Sequence, residues 1–154
     1  MFKDMRKSQR QITDSEAIEL MGRGEYGILS TIGENGYAYG VPLSYVYFNN
    51  AVYFHCAIEG NKLENINFNN KISFCVVGST KVLPDKFSTE YESVILFGKA
   101  VEVINEEKKQ ALVAIIEKYS KNFKEEGIKY IDRAIEHTKV IKIEIERMTG
   151  KARK

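Results

Sequence analysis

The chain has 154 residues, of which 44% are hydrophobic and 29% charged, a composition typical of one globular domain that needs neither disulfides nor a structural metal. Its 23 Lys and Arg against 21 Asp and Glu give a net charge of +2, which argues against binding nucleic acid or an anionic membrane through a general electrostatic field. Apolar runs are too short to span a bilayer, and two Cys without a signal peptide are typical of a reducing cytoplasm.

A short helix is predicted near the N-terminus, after a polar and basic segment. Residues 13–16 read Thr-Asp-Ser-Glu, the pattern of a capping box that begins a helix. Apolar residues then recur at helical spacing, which predicts a buried stripe formed by Ala17, Leu20 and Met21.

Three consecutive strands are predicted next. The first two, Tyr26 to Ile32 and Tyr37 to Phe48, are joined by a turn at residues 34–36 (Glu-Asn-Gly). A second tight turn at Asn49-Asn50 leads into a third strand, Ala51 to Cys56. Side chains alternate along a strand, so in the third strand one face carries Val52, Phe54 and Cys56 and the other carries Tyr53 and His55.

The remaining elements complete a barrel in this prediction. A helix over Glu59 to Asn70, with Leu63 and Ile66 inward, is followed by strands over Lys71 to Val77 and Tyr91 to Ile104, the second with a bend at Gly98. Two helices come next, one capped by Asn105 and one covering Glu125 to Glu136. In the final strand Ile141, Ile143 and Ile145 alternate with charged residues. The expected fold is mainly β (α+β): a single domain over residues 1–154, built as a closed six-stranded antiparallel barrel with peripheral helices.

The segment from Tyr53 to Lys62 is the most informative, because a strand ends there in a glycine-containing turn that begins a helix. Backbone N–H groups of the first helical turn have no acceptor within the helix and lie at its positive end, while Asn61 adds a donor and Lys62 a full charge. A phosphate monoester fits such a turn. On the simpler interpretation, which the residues alone favour, Gly60 only makes the turn and Lys62 is a solvated lysine.

His55 lies just before that turn and is a candidate to face a pocket. A neutral or protonated imidazole donates a hydrogen bond or a proton to a substrate that receives electrons, although a hydrogen-bonded structural histidine is the simpler interpretation. The other histidine, His137, is far away in the sequence, so a metal site has little support. Cys56 and Cys75 are interpreted as small apolar strand residues rather than catalytic thiols.

The stretch from Gly40 to Tyr47 is unusual because Pro42 interrupts a strand pattern. Proline removes a backbone donor, so it requires an edge strand or an irregular position. Free backbone groups there either hydrogen-bond the polar edge of a planar ring, with Tyr45 or Tyr47 packing nearby, or belong to an edge strand protected against aggregation. The residues alone leave both interpretations open.

Taken together, these segments resemble the pyridoxamine 5′-phosphate oxidase-like FMN-binding split-barrel family, and more closely its branch related to 5-nitroimidazole resistance (Nim-type) proteins. The resemblance spans nearly the whole chain. The motifs that carry it are residues 5–7 with 12–14, the strand from Val41 to Tyr45, the segment from Tyr53 to Ala57 running to residues 60–63, the strand from Ser93 to Lys99, and residues 148–151.

The resemblance implies a homodimer with two FMN molecules at the subunit interface, each contacted by both chains. The residues it assigns to cofactor binding are Val41, Pro42, Leu43 and Ser44 beside the ring, His55, Cys56 and Ala57 on the third strand, Asn61 and Lys62 at the phosphate, and Ser93 and Val94 reaching the flavin from the partner subunit. His55 matches a histidine that this branch places beside the flavin, so it is also the candidate catalytic residue. Many relatives carry Arg where this chain has Asn61, which implies weaker phosphate binding.

The function implied is that of an FMN-dependent oxidoreductase that takes a hydride from NADH or NADPH and reduces a small flat acceptor such as a nitroaromatic. The alternative is a flavin-binding module without turnover, serving as a store, sensor or scavenger. A barrel that binds oligonucleotides is disfavoured by the near-neutral charge. The basic residues Lys151, Arg153 and Lys154 are expected to form a frayed tail outside the site, and pyridoxamine phosphate is not the expected substrate.

Overall fold

The structure is a computed structural model that describes residues 1–154. Its helices are α1 (Asp14–Arg23), α2 (Asn61–Phe68), α3 (Asn105–Tyr119) and α4 (Lys124–Ala134). Its strands are β1 (Gly27–Ile32), β2 (Ala38–Leu43), β3 (Val46–Phe48), β4 (Ala51–Ala57), β5 (Lys71–Leu83), β6 (Ser88–Val103) and β7 (Thr138–Arg153). No helix is both long enough and apolar enough to cross a membrane.

The seven strands form one antiparallel sheet in the order β2-β1-β5-β6-β7-β4-β3. The prediction of six strands is therefore wrong in number, and the prediction of a closed barrel is wrong because the edge strands β2 and β3 are not paired with each other. The split-barrel arrangement of an antiparallel sheet with helices around it is otherwise as expected.

The extra strand arises because the predicted strand from Tyr37 to Phe48 is interrupted at Ser44 and Tyr45. The Tyr45 ring is fully buried, and its hydroxyl donates a hydrogen bond to the carbonyl of Met21. Side chains of α3 bind its backbone instead of a neighbouring strand: the N–H of Tyr45 donates to the Tyr119 hydroxyl (3.1 Å), and the Lys118 ammonium donates to the Tyr45 carbonyl (2.9 Å). The chain therefore stops pairing with β1 at the end of β2, and the next segment pairs with β4 as a separate strand, β3.

The two faces of the sheet bury two separate hydrophobic clusters. The main core lies on the inner face, where α1 and α2 pack against alternate residues of the strands, among them Val52, Phe54, Phe74, Val76, Leu96 and Ile143. A second core lies on the opposite face under α3 and α4, and includes Tyr53, Leu112, Ile115, Ile131 and Val140. The predicted division of β4, with Val52, Phe54 and Cys56 opposite Tyr53, is confirmed.

Several local predictions are also confirmed. Thr13 and Glu16 form the reciprocal hydrogen bonds of a capping box, and the buried residues of α1 are Ala17, Leu20 and Met21. Gly36 has φ +82° in the first hairpin turn. Asn49 and Asn50 both have positive φ, as a tight two-residue turn with the twist of a hairpin requires.

Other boundaries differ from the prediction. Strands β5 and β6 extend through residues 78–90 and form a long hairpin around a 3₁₀ turn at Pro84–Lys86, a region for which the sequence predicts no strand or helix. Asn105 is the first residue of α3 rather than a side-chain cap, and it has φ +57°. At Gly98 the register against β7 shifts, as expected for a bend, and an added Cβ would lie 2.2 Å from the carbonyl oxygen of Glu144.

One large part of the sheet is covered by no helix. It is the face opposite the main core on β2, β1, β5, β6 and the C-terminal half of β7, which we call the open face. The side chains in the middle of this face are uncharged: Ile28, Ser30, Ile32, Ala38, Pro42, Ser73, Cys75, Val77, Ser93, Ile95 and Phe97. Charged side chains stand at its margins: Lys71 of β5, Lys99 of β6, and Arg147 and Lys151 of β7. Phe2 stacks on Phe97 with the ring centroids 5.0 Å apart, so the N-terminal residues cover one part of it.

Candidate functional site

The junction between β4 and α2 has the geometry of an anion site. The strand ends at Ala57, and the chain turns at Gly60, whose φ of +144° favours glycine over any other residue. Helix α2 begins at Asn61 and has no side-chain cap, so the N–H groups of its first turn have no acceptor from a capping residue. Open space surrounds Gly60, because an added Cβ would have no atom within 4 Å. The turn therefore presents free backbone donors to whatever lies outside it.

Lys62 and His55 lie close enough to interact electrostatically. Partial burial is the main cause that lowers the pKa of His55, and the positive charge of Lys62 lowers it further. For Cys56, burial raises the pKa of the thiol and outweighs the opposite effect of Lys62. Near neutral pH the imidazole is thus uncharged and the thiol protonated. The structure brings His55, Cys56, Ala57, Asn61 and Lys62 together at one end of β4.

The His55 side chain extends toward the helices rather than into the main core. It stands at the edge of a cavity of about 100 Å³ between β4 and the α3–α4 pair. The cavity is mostly apolar, with walls that include Leu112, Ile115, Ile116, Ile131 and Ile135. The imidazole is accordingly a polar group at the mouth of a small apolar pocket.

The two cysteines carry no sign of catalytic activation. Both thiols are free and partly or fully buried, and burial raises the pKa of each. Cys56 belongs to the main core, which agrees with its interpretation as a small apolar strand residue. Cys75 lies on the open face, beside Ile28 of β1 and Ile95 of β6.

Residues 41–44 lie on a free edge of the sheet. Val41, Pro42 and Leu43 belong to β2, which pairs only with β1, and Pro42 lies opposite Ile28 in regular register. Ser44 follows the end of β2 and is exposed. The edge position that proline requires is therefore confirmed, and the backbone groups of β2 that point away from β1 are free. Tyr45 is buried in the core, so its ring is not available to pack on a ligand.

Ser93 and Val94 lie near the middle of β6, and their side chains point to opposite faces. Ser93 faces the open side of the sheet, between Val77 and Lys151 on the neighbouring strands. Val94 is completely buried in the main core, and its backbone is paired with both neighbouring strands. Of this pair, only Ser93 has a side chain that is accessible from outside the protomer.

The predicted site residues fall into three groups: the β4–α2 junction, the end of β2, and Ser93. In strand order β2 and β4 are far apart, but Ser44 at the end of β2 lies only two residues before Val46, which pairs with Tyr53 of β4. Ser93 is half-buried on the open face. Sequence analysis missed a groove of about 520 Å³ farther along that face, lined by Phe2, Ser30, Ile32, Ser73 and Phe97 together with the charged Lys71 and Glu146. The signal that could have found it is the alternation of Ser73, Cys75 and Val77 with the buried residues of β5.

A family model described as pyridoxamine 5′-phosphate oxidase matches residues 13–152, which includes all four α-helices and all seven strands except the last residue of β7. The chain belongs to this family. A search of curated proteins finds no match. The membership expected from residues 41–45, 53–63 and 93–99 is thus confirmed.

Several solved structures of other proteins are similar to this chain. A candidate 5-nitroimidazole antibiotic resistance protein from Bacteroides thetaiotaomicron is 27% identical, with a TM-score of 0.80 over 92% of this chain and 86% of that one. An FAD and heme binding protein from Mycobacterium smegmatis is 15% identical (TM-score 0.81; 93% and 73% covered), and the heme storage protein HutZ from Vibrio cholerae is 12% identical (TM-score 0.68; 90% and 94% covered). The last two show only the shared fold, whereas the first supports the nitroimidazole-resistance branch.

Proposed function

We propose that this protein is an FMN-dependent oxidoreductase that takes a hydride from NADH or NADPH and reduces a small flat acceptor such as a nitroaromatic. The observation that carries the proposal is the β4–α2 junction, where Lys62 and the uncapped start of α2 meet at Gly60 in a chain of this family. Supporting it is the relative from Bacteroides thetaiotaomicron, whose description concerns resistance to a nitroaromatic antibiotic.

The residues present fit the phosphate of FMN. A phosphate monoester needs several donors and a positive field, and the first turn of α2 supplies backbone N–H groups at the positive end of the helix dipole. Lys62 adds a full charge, and Asn61 adds a neutral donor where a second cation would bind more tightly. No carboxylate pairs with Lys62 in any of the ion pairs of the structure. Lys62 is therefore free to bind an anion.

FMN, when bound, supplies the hydride acceptance and electron transfer that no side chain of this chain can perform. The chain's own contribution is binding and orientation. The free edge of β2 from Val41 to Ser44 offers backbone groups to the polar side of a flat ring. The neutral His55 offers a hydrogen bond at the mouth of its apolar pocket, where a small acceptor would be held away from water.

The complete site requires two protomers in this proposal. Within one chain the β4–α2 group and Ser93 lie on different parts of the sheet, and the open face beside Ser93 carries Val77 and Ile95 and is covered by no helix, with Lys151 at its margin. An extended apolar face that no helix covers is typical of an interface. A second copy of the chain placed on it would bring Ser93 of one subunit toward the site of the other.

The first experiment is spectroscopic. The freshly purified protein is expected to be a yellow dimer whose flavin is bleached anaerobically by NADH or NADPH and recovers its colour when a nitroaromatic is added. Reduction without reoxidation by any acceptor would favour the alternative of a flavin store or sensor. A colourless protein that does not take up added FMN would contradict the proposal.

A variant tests the phosphate contact directly. Lys62→Ala is expected to weaken FMN binding by about tenfold to a hundredfold, because it removes one charge-assisted hydrogen bond. The measurement is a fluorescence titration of apoprotein with FMN. The matched control is Lys129→Ala, which removes the same charge from the exposed surface of α4 and is expected to leave FMN affinity unchanged. An unchanged affinity in Lys62→Ala would remove Lys62 from the site.

A further inference from the structure

Basic side chains gather around one tyrosine at the C-terminal end of β7, far from the β4–α2 junction. Tyr91 of β6 lies opposite Arg153, and the Lys151 ammonium is 5.7 Å from the centre of its ring. The N-terminal segment runs alongside, since Gln11 bridges to Lys151 and the N–H of Ile12 donates to the Gly150 carbonyl at 3.0 Å. This pairing fixes the neighbouring Lys7 and Arg10 beside the tyrosine. We call Lys7, Arg10, Tyr91 and Lys151 the Tyr91 cluster.

The cations of the Tyr91 cluster have no acidic partner. None of the five ion pairs in the structure includes Lys7, Arg10 or Lys151, although all three side chains are half-buried. Their mutual repulsion is visible in Lys7, whose pKa is lowered first by Arg10 and then by Arg6. Partial burial raises the pKa of Tyr91, but Lys151 and Arg10 beside the phenol outweigh it and lower the pKa overall. Like charges held together in this way favour an anion from outside the protein.

A cavity adjoins the cluster at Tyr91. It measures about 540 Å³ and is lined by polar residues that include Tyr91, Arg153, Thr80 and Ser79. Two carboxylates also reach it, Glu90 and Glu92, but Glu92 is paired with Arg23 at 3.0 Å and accepts a hydrogen bond from the N–H of Ser79. Of the Tyr91 cluster only Tyr91 lines this cavity, and Lys81, Arg153 and Lys154 contribute further positive charge to its wall beside Glu90.

We propose that Lys7, Arg10, Tyr91 and Lys151 form a binding site for a phosphoryl group of a small molecule, separate from the Asn61–Lys62 turn. Arginine pairs with two phosphate oxygens at once, and the two lysines and the phenol supply further donors. Three positive charges match a doubly charged phosphoryl group better than a single carboxylate. One localised cluster on a chain of net charge +2 fits a small molecule better than a nucleic acid, which requires an extended basic surface.

The two anion sites of one protomer lie at opposite ends of β7. Thr138 pairs with Ala57, which precedes the turn at Gly60, whereas Lys151 and Arg153 flank Ser93 and Tyr91. At about 3.3 Å per residue the strand between these positions covers roughly 40 Å. A single phosphate therefore cannot contact both groups within one chain. The phosphoryl group at the Tyr91 cluster belongs either to a nicotinamide dinucleotide or to a flavin whose phosphate end reaches the cluster.

The test uses inorganic pyrophosphate as the probe and the purified full chain, in a buffer without phosphate. Calorimetric titration is expected to show binding to the unaltered protein, weakened by about tenfold to a hundredfold in Arg10→Ala and in Lys151→Gln. Pyrophosphate is also expected to raise the Tm of the unaltered protein but not of these variants. Lys129→Ala, which removes an equal charge on α4, is expected to bind pyrophosphate normally. Tyr91→Phe, which keeps the ring, separates loss of the hydroxyl from loss of packing.

Competition then identifies the source of the phosphoryl group. If NADPH or NADH displaces pyrophosphate, and Arg10→Ala leaves FMN affinity unchanged, the cluster binds the dinucleotide. If FMN displaces pyrophosphate, and Arg10→Ala binds FMN more weakly, the cluster binds the flavin. Both results support the site. The site is overturned if pyrophosphate does not bind, if Lys129→Ala weakens binding as much as Arg10→Ala, or if only Lys62→Ala abolishes it. Preferential binding of a single-stranded oligonucleotide over pyrophosphate would also overturn it.

Discussion

His55 shows how the surroundings of one side chain select its chemistry. His55 is exposed at the mouth of an apolar cavity, where partial desolvation and the positive charge of Lys62 lower its pKa below the usual value of 6.5. The imidazole is therefore mostly neutral at pH 7, and in the proposed reaction it serves as a hydrogen-bond donor rather than as a cation. Because the folded-state pKa is lowered, protonation opposes folding: the stability that neutral His55 contributes is present above pH 6.5 and is lost as the pH falls below it.

Replacement of His55 tests its role in the proposed reaction. His55→Ala is expected to retain FMN but to slow reduction of the acceptor by about a hundredfold. That factor is at the low end of the rate effects that positioned proton or hydrogen-bond donors contribute. Stopped-flow measurement of flavin reoxidation by a nitroaromatic separates this step from reduction by NADPH, which is expected to change little.

The chain contains a matched control for that variant. His137, the second histidine, is exposed in the 3₁₀ turn before β7, and His137→Ala is expected to reoxidise at the normal rate. Undiminished reoxidation in His55→Ala would leave His55 as a structural residue at the edge of the α3–α4 pocket.

Helix α1 shows how far local sequence determines an element. The N–H of Thr13 donates to the Glu16 carboxylate at 2.8 Å, and the N–H of Glu16 donates to the Thr13 hydroxyl at 3.1 Å. These bonds lower the pKa of Glu16, so the contribution of its carboxylate is present at neutral pH and is lost as the pH falls through the lowered value. The capping box fixes the start of the helix, and Ala17, Leu20 and Met21 then place it on the main core.

Thr13→Ala is expected to lower the free energy of unfolding by about 1 kcal/mol, because it leaves an N–H at the start of α1 without its acceptor. Urea denaturation should show a lower midpoint with an unchanged slope. Ser15→Ala is the control, since Ser15 is exposed in the same turn and makes no capping bond; its effect is expected to stay within about 0.5 kcal/mol. Equal loss in both variants would show that the capping box contributes nothing specific.

At the scale of the whole molecule, the distribution of helices leaves the open face of the sheet uncovered. Helices α1 and α2 cover the inner face, and α3 and α4 cover the opposite face only over β3, β4 and the adjoining parts of β6 and β7. Ile95 and Phe97 are thus about 40% exposed in the middle of the sheet, where a folded domain normally buries such residues.

Disruption of this face tests the proposed homodimer. Ile95→Glu is expected to convert the dimer to a monomer, because the introduced charge would be buried against the partner without a counter-ion. Sedimentation velocity measures the mass, and loss of FMN is expected to accompany dissociation. Ile104→Glu, at an exposed isoleucine before α3, is the control and should remain dimeric with FMN bound. A dimer that persists in Ile95→Glu would place the interface elsewhere.

The sequence by itself determined the elements whose signals are local. The capping box at Thr13, the turn at Asn49-Asn50, the alternation along β4 and the glycine turn before Lys62 each depend on residues a few positions apart, so their pattern was sufficient to predict them. The family motifs were likewise readable, because they follow these same segments.

The tertiary structure alone decided features that join distant parts of the chain. Tyr45 separates β2 from β3 because Lys118 and Tyr119, over seventy positions later, bind its backbone, and no local pattern encodes that contact. Lys151 and Arg153 belong to β7 rather than to the expected frayed tail, because β6 and the N-terminal segment pair with them. The Tyr91 cluster follows from the same pairing, since only the folded chain brings Lys7 beside Lys151.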